Sequence, residues 1–151
     1  MSITEKISHA AERKAFETVL DSMLKKGQTQ DVGGCVAGGR IYCHINAAGD
    51  VEPCVFIHYS GANIREKSFL ECLQQPLFKL YRKGQPFNGN HLRPCPMLEN
   101  PELLPKMVAD SGAHSTGLEA PESADHLCAK CKEYAAHWKP QAEKLWAEDH
   151  S

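Results

Sequence analysis

Hydrophobic residues recur at helical spacing in the first part of the chain. Between residues 3 and 26 they fall mostly on one stripe, and charged residues occupy the other face. Thr4 is a suitable N-cap, and Gly27 is a suitable stop. We therefore predict an N-terminal amphipathic helix and linker over residues 1–31. A packing role for this helix is favoured over partner binding. The stripe contains Ile3, Ile7, Ala11, Phe16, Val19, Leu20, Met23 and Leu24.

A different pattern follows, in which short apolar runs flank a turn. Residues 40–46 and 51–57 are typical of two short strands, and the sequence AAGD lies between them. Gly49 suits this turn because glycine adopts a positive φ at little cost. Pro53 has no N–H, so the second strand is expected to be interrupted or to lie at an edge. These features predict a β-hairpin.

The next segment has the signals of two short helices. Ser68 is a favourable N-cap for the sequence FLECLQQ, and Glu71 occupies the capping-box position. Residues 76–82 continue as a second short helix. Residues 84–96 are rich in Gly, Asn and Pro, which indicates a loop.

Two further helices are predicted in the last third of the chain. The first covers residues 101–110 and would be capped by Asn100. Residues 111–119 are expected to be irregular. Helical pattern returns over residues 122–147, with a break or kink at Pro140. The predicted fold class is α+β: a small β-hairpin with cysteine-rich loops and flanking α-helices.

Composition excludes several classes of protein. The chain has 151 residues, a formal net charge of −2 and an isoelectric point near 6.4, which gives no basic footprint for nucleic acid or an anionic membrane. No apolar run is long enough to span a bilayer, and the charged N-terminus lacks the apolar core of a signal peptide. We therefore expect a cytoplasmic protein without nucleic-acid or membrane partners.

The seven cysteines are the sequence feature that indicates a function most directly. In a protein without a signal peptide they are expected to be metal ligands or free thiols rather than disulfides. Cys35 lies in GGCVAGG, where small residues allow the backbone to approach an inorganic cluster and to point N–H groups at it. Cys54 lies in the second predicted strand. The hairpin should bring these two thiols together.

Three more cysteines lie in suitable surroundings. Cys95 stands between Pro94 and Pro96, which stiffen its loop, and Cys128 and Cys131 form a C-x-x-C pair at a predicted helix start. Together with Cys35 and Cys54, these residues form the predicted metal and cofactor site. Its members are Cys35, Cys54, Cys95, Cys128 and Cys131.

Other cysteines and histidines are weaker ligand candidates. Cys43 shares a predicted strand face with isoleucines, and Cys72 lies among apolar helix residues, so both are expected to be core thiols. His44 and His58 lie near the cysteine loops and could bind a metal or donate to a sulfide. Polar positions on a strand face explain them more simply. No Ser/His/Asp set, P-loop or carboxylate pair indicates a catalytic centre.

The spacing of three residues carries a family resemblance. Cys35, then Gly49, then Cys54 five residues later resembles the opening of the SPASM and shorter twitch domains, and the segment RPCPM around Cys95 is similar to their later cluster-binding loop. These are auxiliary iron–sulfur domains of radical S-adenosylmethionine (radical SAM) enzymes. The resemblance covers about residues 32–100. It implies that residues 32–151 form a SPASM/twitch-like cluster-binding domain with a C-terminal helix.

The chain departs from the family pattern in two ways, and these departures limit the activity and the number of clusters that we expect. The chain has no C-x-x-x-C-x-x-C motif, so it lacks the radical SAM core signature and is not expected to be catalytic alone. Five well-placed cysteines cannot fully ligate two four-iron clusters, so one [4Fe-4S] cluster is predicted. Cys35, Cys54 and Cys95 are the first three ligands. Cys128 or Cys131 is the predicted fourth ligand, and Cys43 is the next candidate.

The resemblance implies an accessory domain of a radical SAM oxidoreductase, acting as a fragment or as a separate subunit. Its partner would be a radical SAM core domain or enzyme, or the substrate of one, and its role would be electron transfer or substrate positioning. A homodimer through the N-terminal stripe is a further expectation. The alternative is a small structural or interaction module that binds Zn²⁺ through the same thiolates. A thiol redox role for the C-x-x-C pair is weaker, because the surrounding βαβ pattern is missing.

Overall fold

The computed structural model describes residues 33–150, so the helix predicted over residues 3–26 lies outside the described part of the chain. Within residues 33–150 no helix is long and apolar enough to cross a membrane. The elements in chain order are β1 (His44–Ile45), β2 (Val51–Glu52), β3 (Tyr59–Ser60), α1 (Phe69–Leu73), α2 (Pro76–Lys83), α3 (Leu103–Ser111), β4 (His114–Ser115), α4 (Ala124–Ala129) and α5 (Lys132–Asp149). The fold class is α+β, as predicted.

The predicted hairpin is present, but its strands are short. β1 and β2 pair antiparallel, with His44 opposite Glu52, and Gly49 turns the chain between them with a φ of +93°. The ladder ends at Pro53, which has no N–H to donate. The Pro53 carbonyl instead accepts the Gly38 N–H at 3.0 Å. The predicted strand over residues 51–57 is therefore too long, and its end becomes a link to the preceding loop.

A second antiparallel pair joins distant parts of the chain. β3 pairs with β4, with Tyr59 opposite Ser115 and Ser60 opposite His114. The irregular crossing predicted over residues 111–119 therefore contains a strand. Each strand has two residues and their sequence separation is large, so neither carries an alternating pattern that sequence inspection could detect.

The first two helices match their predicted signals. The Ser68 side chain accepts the Glu71 N–H, and the Glu71 carboxylate accepts the Ser68 N–H at 2.9 Å, which completes the capping box. α2 begins at Pro76, a residue suited to the first helical turn because it needs no N–H partner there.

The third helix begins later than predicted. α3 starts at Leu103 rather than at residue 101. Asn100 does not cap it with its side chain. The Asn100 amide group instead donates to the carbonyl oxygens of Arg93 at 2.8 Å and Cys95 at 3.0 Å. Its function is to hold a cysteine loop.

The last predicted helix is divided, although not where expected. The break falls at Lys130 and Cys131, between α4 and α5, and Pro140 lies inside α5. At the break the Cys131 N–H bonds to the Cys128 carbonyl at 3.0 Å, a three-residue turn that tightens the end of α4. Of the break or kink predicted at Pro140, the break is therefore wrong.

Two clusters of buried side chains form the core, and α2 packs against both. Leu77 and Tyr81 belong to the first cluster and Phe78 belongs to the second, and all three are fully buried. Burial of Leu77 and of Phe78 stabilises the fold by about 1.5–3 kcal/mol each. The first cluster contains Ala37, Cys54, Ile57, Tyr59, Leu77, Tyr81, Leu104, Met107, Ala124 and Cys128.

Candidate metal centre

The loop that carries Cys35 is fixed against the hairpin and against α2. The Arg40 guanidinium donates to the carbonyl oxygens of Cys35 at 2.6 Å and Gly33 at 3.3 Å. Gly38 has a φ of +65°, and a Cβ at this position would lie 2.5 Å from the Tyr81 ring. Glycine is therefore required, and the loop backbone packs directly on Tyr81.

Cys54 begins a tight turn directly after the hairpin. The Ile57 N–H closes the turn on the Cys54 carbonyl at 3.3 Å. The Cys54 sulfur accepts hydrogen bonds from the backbone N–H groups of Phe56 and Ile57, and from the Tyr42 hydroxyl. Three donors thus converge on one buried thiol.

Cys95 is held by polar contacts on both sides of its peptide unit. Its N–H donates to the Glu99 carboxylate at 2.7 Å, and its carbonyl accepts from the Asn100 amide group. Its sulfur accepts the Leu98 N–H at 3.4 Å and also the Met97 N–H. Glu99 is buried, and this burial raises the pKa of its carboxyl group.

The three cysteine loops share one arrangement, in which the sulfur accepts backbone N–H groups from residues two or three positions later. For Cys35 the donor is Ala37. Burial raises the pKa of all three thiols, that of Cys95 to about 11, and the Cys35 thiolate has a like-charge interaction with both Cys54 and Cys95. Thiolates collected in this way need a cation, and a bound metal would lower these pKa values.

Unpaired buried donors lie beside the same sulfurs. The Tyr81 hydroxyl is buried without a hydrogen-bond partner in the described structure. Burial raises its pKa well above the ordinary value, and charges on Cys54, Cys35 and Cys95 add to the effect. Buried donors are normally satisfied, so this hydroxyl fits a sulfide or thiolate acceptor. The donor set suits an iron–sulfur cluster.

Gln85, which contacts the Cys35 backbone, also has an unpaired buried donor. Its Oε1 accepts the Cys35 N–H at 3.2 Å, while its buried Nε2 has no partner in the described structure. Arg93 Nε and Asn90 Nδ2, in the segment that precedes Cys95, are likewise buried and unpaired. The four unpaired donors therefore all belong to the segment from α2 to the residues just before Cys95. Buried donors of this kind are normally paired, and a bound cluster could accept from those that face it.

The C-x-x-C cysteines are placed differently. Cys128 lies in α4 and Cys131 directly precedes α5, so the pair spans a helix break rather than a helix start. Burial raises the pKa of Cys128 to about 12, with smaller contributions from Cys131, Asp125 and Cys95. The Cys131 thiol donates to the Leu127 carbonyl at 3.8 Å, as a free thiol on a helix does. Of the two, Cys128 is the one whose charge interacts with Cys95.

The remaining candidates lie apart from this group. Cys43 packs against the second core cluster, and its charge interacts with Cys72 of that cluster. His44 and His58 contact Glu52 through Nδ1. Among residues 33–150 no three His, Cys, Asp or Glu side chains are placed to hold a single metal ion. A four-iron cluster holds its thiolates farther apart than a single ion does, so this finding concerns a single-ion site and does not count against a cluster.

Comparison with known families bears on this segment. Residues 35–97 match the SPASM family, described as an iron–sulfur cluster-binding domain. The matched segment is a SPASM domain. It begins at Cys35 and ends two residues after Cys95, so it contains Cys35, Cys54 and Cys95, the three cysteines whose sulfurs accept N–H groups. No curated protein and no solved structure gives a significant match to the chain.

Sequence inspection missed several residues that shape this SPASM domain. Tyr81 was indistinguishable from any core aromatic residue on an amphipathic helix. Glu99 carried no signal beyond its position four residues after Cys95. Gln85 lay in a loop with no expected role. Each is identified only by its contact with a cysteine loop.

Proposed function

We propose that the chain binds one [4Fe-4S] cluster through Cys35, Cys54 and Cys95 of the SPASM domain and Cys128 of α4. The observation that carries this proposal is the shared arrangement of the first three sulfurs, each accepting backbone N–H groups in a rigid loop. Such donors stabilise thiolate ligands and tune a cluster. Cys128 is preferred to Cys131 because it is buried in the same core cluster as Cys54 and interacts with Cys95.

The role that fits this site is one-electron transfer to a partner enzyme. A bound cluster supplies a one-electron redox centre. The chain contributes a short route to the surface, because Tyr42, which donates to Cys54, is 42% exposed. Val55 and Phe56, next to Cys54, are exposed apolar residues suited to a contact surface. We propose a radical SAM core domain or enzyme as the partner, with this chain as its accessory domain.

Metal analysis of anaerobically reconstituted protein tests the proposal. We expect about four iron and about four sulfide per chain, and no 5′-deoxyadenosine when the chain alone is given S-adenosylmethionine and reductant. Replacing Cys128 by Ser should disturb the cluster spectrum, and replacing Cys131 by Ser should not. Zinc bound in place of iron, or an iron count near eight, would contradict the proposal.

Replacing Tyr81 by Phe should make the cluster potential more negative. The hydroxyl is a donor beside the cysteine sulfurs, and losing it removes stabilisation of the reduced, more negatively charged cluster. Stability should change by no more than about 1 kcal/mol, because the hydroxyl has no protein partner in the described structure. Spectroelectrochemical titration measures the potential, and thermal unfolding measures the stability.

Tyr59→Phe is the matched control for this prediction. The Tyr59 hydroxyl donates its one hydrogen to the Glu122 carbonyl at 2.8 Å, so, unlike the Tyr81 hydroxyl, it has no hydrogen left to donate to a cluster sulfur. Its loss should cost about 1 kcal/mol of stability and leave the potential unchanged. Equal potentials in wild type and Tyr81→Phe would show that this hydroxyl does not interact with a cluster.

A further inference from the structure

A second polar centre is built around a carboxylate of β2 that the proposed cluster does not use. Glu52 is fully buried, and its Oε2 contacts Nδ1 of His44 at 2.8 Å and Nδ1 of His58 at 3.2 Å. Its Oε1 accepts from the Thr116 hydroxyl at 2.5 Å and the Asn46 amide group at 3.0 Å. Four donors fill the acceptor sites of the carboxylate.

These contacts fix the proton positions on both imidazole rings. A carboxylate surrounded by donors only accepts, so Nδ1 of His44 and Nδ1 of His58 each carry hydrogen. In a neutral ring the second nitrogen, Nε2, then has a free lone pair. The buried Glu52 carboxylate therefore holds both imidazole rings in the tautomer whose Nε2 atom can accept a hydrogen bond. The four donor side chains come from β1, the turn after β1, the segment after β2 and the segment after β4.

The two rings line a cleft of about 450 Å³. Ile45, Ala47 and Leu118 give it apolar walls, and the Glu119 carboxylate adds negative charge. None of the residues that line it is Lys or Arg. Apolar walls, two lone-pair acceptors and acidic charge suit a ligand that has an alkyl chain ending in a cationic donor.

We propose that this cleft binds a primary ammonium group carried on an alkyl chain. The ammonium donates to Nε2 of His44 and of His58, and the alkyl chain lies against the apolar walls. Glu119 and the buried Glu52 supply the negative charge that favours a cation over an anion. The proposal does not depend on which cysteines bind a cluster or on electron transfer.

Ligand-observed NMR on the full chain, kept anaerobic in its metal-loaded state, tests the proposal. The probe is Nα-acetyl-lysine methylamide. The comparison compounds are the norleucine analogue, which lacks the ammonium, and the glutamate analogue, which has the opposite charge. We expect saturable binding of the lysine compound and at least about tenfold weaker binding of the other two.

Three variants locate the site. His58→Gln should weaken binding of the lysine compound about tenfold, and Glu119→Lys, an exposed change with little effect on folding, should weaken it about threefold. His137→Gln removes an exposed histidine on α5 and should have no effect. No saturable binding, equal binding of the norleucine compound, stronger binding of the glutamate compound, or binding unaffected by Glu119→Lys would each overturn the proposal.

Discussion

Replacing Cys54 by alanine is expected to remove most of the iron and to loosen the SPASM domain. Residues 33–97 contain three strands of two residues each and two helices of thirteen residues in total, which leaves much of the segment as loop. Metal binding would therefore supply part of its folding free energy. Amide hydrogen exchange in this segment should become at least about tenfold faster, which corresponds to about 1.4 kcal/mol.

Cys72→Ala is the matched control. Cys72 is also fully buried, but it lies in the second core cluster, away from the three cysteine loops. Its loss should cost about 1 kcal/mol through a small cavity and leave the iron content unchanged. If metal-free wild-type protein shows the same exchange protection as the loaded form, metal binding does not contribute to folding, and the prediction fails.

The hairpin and the capping box were predictable because each depends on residues that are close in sequence. Gly49 provides the positive φ of the turn, and Ser68 with Glu71 provides the reciprocal bonds of the cap. The SPASM resemblance was also local, since it rested on the spacing of Cys35, Gly49 and Cys54 together with the RPCPM segment. These local signals do not depend on how the rest of the chain folds.

Other features were not predictable because no local sequence pattern distinguishes them. Asn100 was expected to cap α3, but the Cys95 loop takes its side chain, and no local pattern distinguishes the two uses. The helix break at Lys130 and Cys131 has no glycine or proline to announce it. Pro140, which does have a helix-breaking signature, is accommodated inside α5. For Asn100 a tertiary contact overrides the local capping preference.

The candidate metal centre likewise has features that the sequence predicts and features that only the structure reveals. The sequence indicated which cysteines sit in rigid loops, and the structure gives each of those loops the N–H donors that hold its sulfur. The sequence did not indicate Tyr81 or Glu52, because an aromatic residue on a helix and an acidic residue in a strand are both common. Their importance lies in burial among partners that come from elsewhere in the chain.

Replacing Glu52 by glutamine is expected to destabilise the fold by about 3 kcal/mol or more. Glutamine has nearly the same volume, but its NH₂ group would face donors that the carboxylate accepts, so buried donors would be left unpaired. Glu66→Gln is the control, because Glu66 is exposed, and its effect should stay within about 0.5 kcal/mol. Urea unfolding of the three proteins under the same metal conditions measures the differences.

The difference between wild type and Glu52→Gln should also depend on pH. Burial alone would raise the pKa of the Glu52 carboxyl, but hydrogen bonds from Thr116, His44 and His58 outweigh burial and place it below the ordinary 4.5. A carboxyl with a lowered folded-state pKa stabilises fully above its unfolded value, and that stabilisation is lost as the pH falls through the folded-state pKa. The wild-type advantage should therefore be constant above about pH 5 and shrink in more acidic solution. An advantage that stays the same down to pH values where wild type unfolds would show that the charge on Glu52 is not what the surrounding donors stabilise.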